Sequence, residues 1–219
     1  MHLQKTFVVI VGLFLIGCNQ KKEDFIPDQD FNNGWLFMKG ENPNGESISL
    51  DDSNWRKLNV PHDWAIEGPF DIKNNARNGG LPIDGIAWYR KHFTLGKENE
   101  NKQVSIEFDG VMDNSTVYIN GHNVGKRHYG YIGFEYDLTP FIKFGKDNII
   151  AVKLAPEVLS ERWYSGAGIY RNVRLKINNA IHIPQWGTYI TTPIVNSEKA
   201  IVRIETKIKN ASETNKLVT

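Results

Sequence analysis

Val117-Tyr118-Ile119-Asn120-Gly121-His122-Asn123-Val124 reads as two extended segments joined by a two-residue turn. Asn-Gly suits the central positions of a type I′ turn, where both φ angles must be positive, so this stretch predicts a β-hairpin. Working outward, the same period of two recurs. Val104, Ile106 and Phe108 alternate with Ser105, Glu107 and Asp109, and Val173, Leu175 and Ile177 alternate with Asn172, Arg174 and Lys176. In the run from Ala87 to Leu95, residues Trp88, Arg90, His92 and Thr94 share one face, while Tyr89, Lys91, Phe93 and Leu95 share the other. Asn148 to Leu154 is a largely apolar strand, and shorter strands are expected at Asn33 to Met38, Trp55 to Val60 and Phe134 to Tyr136. Asn42 to Ser47 is a Gly/Pro/Asn loop, and Asp63 to Gly85 is a long stretch with little periodicity. Loops of that length in a compact domain are usually functional or disordered. Asp137 to Ile142 and Pro156 to Glu161 each suit a single helical turn. Many short strands without a long segment of period 3.6 predict an all-β sandwich spanning residues 30–178.

Asn178-Asn179-Ala180 reads as a junction. Beyond it a strand is expected around Gln185 to Thr191, then Pro193, then a strand at Lys199 to Lys209. In the latter, Ala200, Val202, Ile204, Thr206 and Ile208 share a face that two strands cannot bury unaided. Residues 180–219 are therefore expected to open a second, incomplete β-sandwich. The alternative is that they pack on the first domain as an appendage.

Composition excludes some functions. Lys+Arg total 26 against Asp+Glu 25, a net charge of +1 that gives no electrostatic reason to expect nucleic acid as a partner. A hydrophobic content of 40% and an aromatic content of 11% are enough for a packed core. The apolar run from Thr6 to Ile16 follows Lys5 and is shorter than the roughly 20 residues of a membrane-spanning helix. It reads as an export signal over residues 1–17. Leu15-Ile16-Gly17-Cys18 resembles a bacterial lipobox, in which Cys18 would be acylated and residues 18–29 would form a polar tether. Several acyl chains on one cysteine anchor a protein stably. This predicts an exported lipoprotein of the periplasm or outer membrane. A plain signal peptide with an incidental cysteine is the other reading. Cys18 is the only cysteine, so the exported part would contain no disulfide.

Few residues suit chemistry. There is no glycine-rich phosphate loop, no Gly-x-Ser-x-Gly elbow and no His/Cys spacing for a metal, so no metal or other cofactor is expected. Glu157 and Glu161 would share a helical face at i, i+4. Paired carboxylates can serve glycoside hydrolysis, but on one short exposed turn nothing would enclose a sugar between them. Neighbours in an extended chain point opposite ways, so His62 and Asp63 do not form a dyad. Pro61-His62-Asp63-Trp64 instead suggests a structural corner with Trp64 buried. Arg162-Trp163-Tyr164, followed by Gly166 and Gly168, is the one group suited to a ligand. Flat aromatics pack on pyranose faces, and arginine donates several hydrogen bonds to hydroxyls. The same pattern also fits Trp163 and Tyr170 in the core with Arg162 solvated.

Five ordered motifs carry a resemblance. They are Trp55…Val60-Pro61-His62-Asp63-Trp64, Gly85-Ile86-Ala87-Trp88-Tyr89-Arg90-Lys91, Phe108-Asp109-Gly110-Val111, the hairpin running on to Val124-Gly125, and Arg162 to Arg171. Together they resemble the N-terminal domain of family-2 glycoside hydrolases, the β-galactosidase branch in particular. The resemblance implies a jelly-roll sandwich followed by the start of an immunoglobulin-like domain. It also implies catalysis by two glutamates on a later (β/α)₈ barrel. Such a barrel needs about 250 residues, and this chain does not contain one. No residue here is expected to be catalytic. The first domain would instead supply one wall of a pocket for a terminal β-linked sugar, a galactoside by branch resemblance. Arg162, at a position where several members carry Asp, would face substrate beside Trp163. Asn74 or Asn75, with Asn75 preferred, would face it from the loop before Gly85. A free-standing carbohydrate-binding lipoprotein using Arg162, Trp163 and Tyr164 is the alternative.

Overall fold

The computed structural model describes residues 28–74, 76, 79–156 and 163–217. In chain order its strands are β1 (Gln29–Asp30), β2 (Trp35–Lys39), β3 (Arg56–Leu58), β4 (Ala87–Thr94), β5 (Gln103–Phe108), β6 (Ser115–Ile119) and β7 (His122–Arg127). They continue with β8 (Phe134–Asp137), β9 (Asp147–Leu154), β10 (Val173–Asn178), β11 (Ile181–His182), β12 (Thr188–Val195), β13 (Ala200–Thr206) and β14 (Lys209–Asn210). Ten of them build a jelly-roll sandwich from two antiparallel sheets, ordered β1-β10-β5-β8 and β3-β2-β4-β9-β6-β7. Among the described residues helix is limited to short 3₁₀ turns, including Thr139–Phe141 where a helical turn is expected.

Alternation sets the inner faces. Val104, Ile106 and Phe108 on β5 and Val173, Leu175 and Ile177 on β10 are buried from one sheet. Trp35, Phe37, Tyr89, Val117, Ile119, Ile150, Val152 and Leu154 meet them from the other. The pairing holds these residues in register, with Leu175 opposite Ile106 and Tyr89 opposite Val152. The β6–β7 hairpin turns at Asn120 (φ 50°) and Gly121 (φ 85°), as type I′ geometry requires. Asn120 also has a tertiary role. Its side chain donates to the Phe141 carbonyl and to Asn148 Oδ1, both at 2.8 Å, and accepts from the Ile149 N–H at 3.0 Å.

One burial goes beyond a simple inside-outside alternation. Trp88 and Arg90 point away from the core yet are 2% and 0% exposed. The loop around residues 42–52 covers them. Arg90 donates from Nε to Asp52 Oδ2 (2.6 Å) and from Nη1 to the carbonyls of Gly45 (2.6 Å) and Ser47 (3.1 Å). A buried guanidinium needs a counter-charge and acceptors; here Nε and Nη1 have them, and the buried Nη2 has no hydrogen-bond partner. His92, two residues along, shares Asp52 (3.1 Å) and also meets Asp147 (2.8 Å).

After the sandwich, β12 pairs with β13 and β11 with β14. The expected break at Pro193 does not occur: β12 runs through it to Val195. The register shifts between Thr191 and Ile194, and such a bulge accommodates a residue without an N–H. The expected strand from Lys199 to Lys209 is instead two, ending at Thr206 and resuming at Lys209 to pair with Ile181–His182.

Asp52→Ala leaves the buried Arg90 without its counter-ion. The expected cost is about 3 kcal/mol, read as a lower midpoint of urea unfolding with an unchanged slope.

Candidate functional site

One end of the sandwich is organised by residues 166–169. On one side the His62 N–H donates to the Ile169 carbonyl (2.8 Å) and the Trp64 N–H to the Ala167 carbonyl (3.0 Å). On the other, Met112 and Gly168 exchange backbone hydrogen bonds of 2.9 and 2.8 Å. Gly168 sits at φ 139°. A Cβ there would collide with the His62 carbonyl oxygen and come within 2.7 Å of the Tyr89 hydroxyl, so only glycine fits between the flanking segments.

Asp63 fastens this arrangement. Its Oδ1 accepts from the N–H groups of Ala65 and Ala167, both at 3.0 Å. Its Oδ2 accepts from the Tyr164 hydroxyl at 2.5 Å. Burial pushes the Tyr164 hydroxyl well above its ordinary pKa, and the carboxylate beside it pushes the same way, so Tyr164 remains the donor. His62 faces elsewhere. Its Nδ1 meets the Tyr89 hydroxyl at 2.7 Å and its Nε2 meets Glu67 Oε1 at 3.1 Å. The ionised Glu67 carboxylate can only accept, so His62 Nε2 carries a hydrogen and donates to it, while Nδ1 faces the Tyr89 hydroxyl. Glu67 is held by both terminal nitrogens of Arg56 at 2.7 Å. Those hydrogen bonds, opposed by burial and aided by His62, lower its carboxyl to about 2. His62 and Asp63 thus have separate partners, and with Trp64 only 3% exposed the corner is structural.

Beside this corner lies an aromatic rim. Trp163 is 57% exposed, and its Nε1 donates to the Tyr131 hydroxyl at 2.7 Å. Tyr131 packs edge-on against Tyr129, with ring centroids 5.4 Å apart, and Tyr129 is itself exposed. The half-buried Tyr170 donates to the Gly130 carbonyl (3.1 Å), tying the 129–131 loop to the 163–170 segment. The reading that puts Trp163 in the core is therefore overturned. Tyr164 is partly buried, and its hydroxyl is committed to Asp63. Tyr129 and Tyr131 are not among the residues singled out from the sequence. Their signal is the alternation of tyrosine and glycine in Tyr129-Gly130-Tyr131, which resembles the aromatic–glycine pattern after Arg162.

Of the other expected site residues, Asn74 donates its amide to the Gly80 carbonyl (2.9 Å) within its own loop. Arg162, Asn75, Glu157, Glu161 and Cys18 lie outside the described residues. Among the described residues no group of three or more His, Cys, Asp or Glu side chains could hold a metal ion. No helix among them is long and apolar enough to cross a membrane.

Tyr164→Phe removes one hydrogen bond to a charged acceptor and should cost about 1.5 kcal/mol. Asp63→Ala strands three donors and should cost about 3 kcal/mol or more, with the double variant no worse than Asp63→Ala alone. Chemical denaturation of the three variants checks the pattern. The pH dependence has a definite sign at Glu67, whose folded pKa of about 2 lies below its ordinary 4.5. Its contribution is complete above pH 4.5 and is lost as pH falls toward 2. The stability gap between wild type and Glu67→Gln should therefore close on acidification, as followed by urea midpoints across that range.

The family described as "Glycosyl hydrolases family 2, sugar binding domain" matches residues 28–179. The chain is similar to a β-galactosidase of Bacteroides ovatus, 47% identical over 87% of this chain and 23% of that protein. It is also similar to a protein of Formosa agariphila named a putative β-glucuronidase, 42% identical over 84% of this chain and 18% of that protein. Among solved structures, a β-glycosidase from Bacteroides vulgatus superposes with a TM-score of 0.80 at 43% identity, covering 86% of this chain and 25% of that one. A Bacteroides uniformis β-glucuronidase superposes with a TM-score of 0.75 at 30% identity, covering 85% of this chain and 22% of that one. The chain thus spans a quarter or less of the length of these relatives. The chain belongs to glycoside hydrolase family 2, and residues 28–179 correspond to that family's sugar-binding domain.

Proposed function

We propose that this domain forms one wall of the sugar pocket of a family-2 glycoside hydrolase that removes terminal β-linked sugars. The catalytic carboxylates would belong to a barrel that these residues do not include. The observation that carries the reading is the rim of Trp163, Tyr131 and Tyr129 at one end of the sandwich. Its indole is exposed and oriented by a hydrogen bond rather than buried. Large rings held in water by a rigid scaffold are suited to the apolar faces of pyranoses. Arg162, adjacent to Trp163 in the chain, would donate to sugar hydroxyls at this rim, and Asn75 would do so from the loop before β4. A β-galactoside is the substrate we favour, since the 47% identical relative is named a β-galactosidase. A β-glucuronide is the second reading, favoured by the name of the 42% identical relative.

The purified chain should therefore bind sugar without turning it over. One wall without its floor supports only about millimolar affinity, and Trp163→Ala should abolish the signal in a calorimetric titration with galactose or glucuronic acid. Release of nitrophenol from a nitrophenyl β-galactoside or β-glucuronide by the chain alone would overturn the reading, as would unchanged binding in the Trp163 variant.

A further inference from the structure

Trp186 lies outside the matched domain. Its φ of 54° is a left-handed conformation that bulky residues seldom adopt, and 70% of its surface is exposed. The turn that holds it is fixed by two hydrogen bonds. The Gly187 N–H donates to the Pro184 carbonyl at 2.9 Å and the Lys207 N–H to the Gly187 carbonyl at 2.7 Å. An unfavourable backbone geometry is thus maintained around an indole standing in water, and such geometry clusters at functional sites. Tyr189, three residues on, is 64% exposed. With Glu205, Thr206 and Lys207 the two rings border a cavity of about 460 Å³, large enough for a monosaccharide or disaccharide.

Near Trp186 the two faces of the β12–β13 pair carry different residues, while further along Ile201, paired with Ile194, falls on the Tyr189 face by alternation. Tyr189 lies opposite Glu205 and Thr191 opposite Arg203, so these four residues share one face. Arg203 Nη2 meets Glu205 Oε1 there at 2.9 Å. Ile190 lies opposite Ile204, and by alternation Val202 joins them on the other face. The aliphatic face is the one that a β-sandwich covers. Beside Trp186, the face bearing Tyr189, Arg203 and Glu205 is the more polar of the two.

We propose that Trp186 and Tyr189 form a second carbohydrate platform, separate from the Trp163 rim, that takes a pyranose unit of an oligosaccharide. The rings supply flat apolar surface for the C–H face of the sugar, while Glu205 accepts and Lys207 donates hydrogen bonds to its hydroxyls. A platform outside the matched domain would hold a chain of sugars rather than the terminal unit that is cleaved.

Hydroxyl-radical footprinting of the full chain, read residue by residue by mass spectrometry, tests this with xylotetraose, cellotetraose and galactotriose as probes. At least one of them should protect Trp186 and Tyr189. Trp186→Ala should lower the affinity for that probe about tenfold, with Trp186→Phe retaining most of it. Equal labelling of Trp186 with and without every probe would overturn the proposal. Protection confined to Trp163 and the 129–131 loop would do the same, while leaving the pocket-wall reading intact. Trp186 that resists labelling before any sugar is added would assign the face to a protein contact instead.

Discussion

A single carboxylate holds the rim in place. Asp63 takes one hydrogen bond from its own corner and two from a segment about a hundred residues further along the chain. All three donors converge on one side chain, so its loss would leave three polar groups without partners. Charge-assisted bonds of this kind are worth roughly twice neutral ones. Because Tyr164 is bonded through Oδ2, Trp163 immediately before it leaves the anchored segment facing outward. The exposure of the indole thus follows from the fastening of its neighbour.

That fastening needs a fixed frame, which the two sheets provide. The corner at residues 60–64 follows β3, the Gly168 segment precedes β10, and Met112 lies between β5 and β6. Three connections from strands in both sheets therefore meet at one end of the sandwich. The frame is stiffened on its outer side as well. Arg90, with Asp52 and the carbonyls of Gly45 and Ser47, fixes the loop over β4 to the same strand whose Tyr89 supports His62 from within. One strand thus carries an ionic anchor on one face and a tyrosine hydrogen-bonded to His62 on the other.

The parts legible in the sequence are those governed by local rules. Asn120-Gly121 announces its turn because φ must be positive at both positions, and Val173, Leu175 and Ile177 announce a buried face because side chains alternate on a strand. The Pro61-His62-Asp63-Trp64 corner is also visible, since adjacent polar side chains on an extended chain cannot face one partner. What the sequence does not show is pairing across distance. Nothing near Asp63 indicates that Tyr164 is its partner, and nothing near Arg90 indicates that its counter-charge lies in the loop at Asp52. Tyr164 illustrates the consequence. By composition it belongs with Trp163 as a stacking residue, yet its hydroxyl is used internally and its ring is half-buried. Tyr131 has the opposite history, being unremarked in sequence but bonded to the Trp163 indole in space. Pro193 shows the same limit at short range, because a proline signals a break only where no bulge is available to absorb its missing N–H.

The rim's geometry also bears on why a sugar-binding wall is built from paired rings. A lone exposed tryptophan can rotate about two side-chain bonds, and ordering it on a ligand costs entropy. Here Trp163 is already oriented through Nε1 by Tyr131, which packs against Tyr129, and Tyr170 ties the same loop through the Gly130 carbonyl. Much of that ordering is done on folding, so on the proposed reading less would be lost when a pyranose arrives. The cost is that the platform's orientation depends on the 163–170 segment staying in place, which returns the requirement to the carboxylate of Asp63. A wall fixed in this way can meet a separately folded floor without rearranging. Such a wall is what a pocket assembled from two parts of a protein needs.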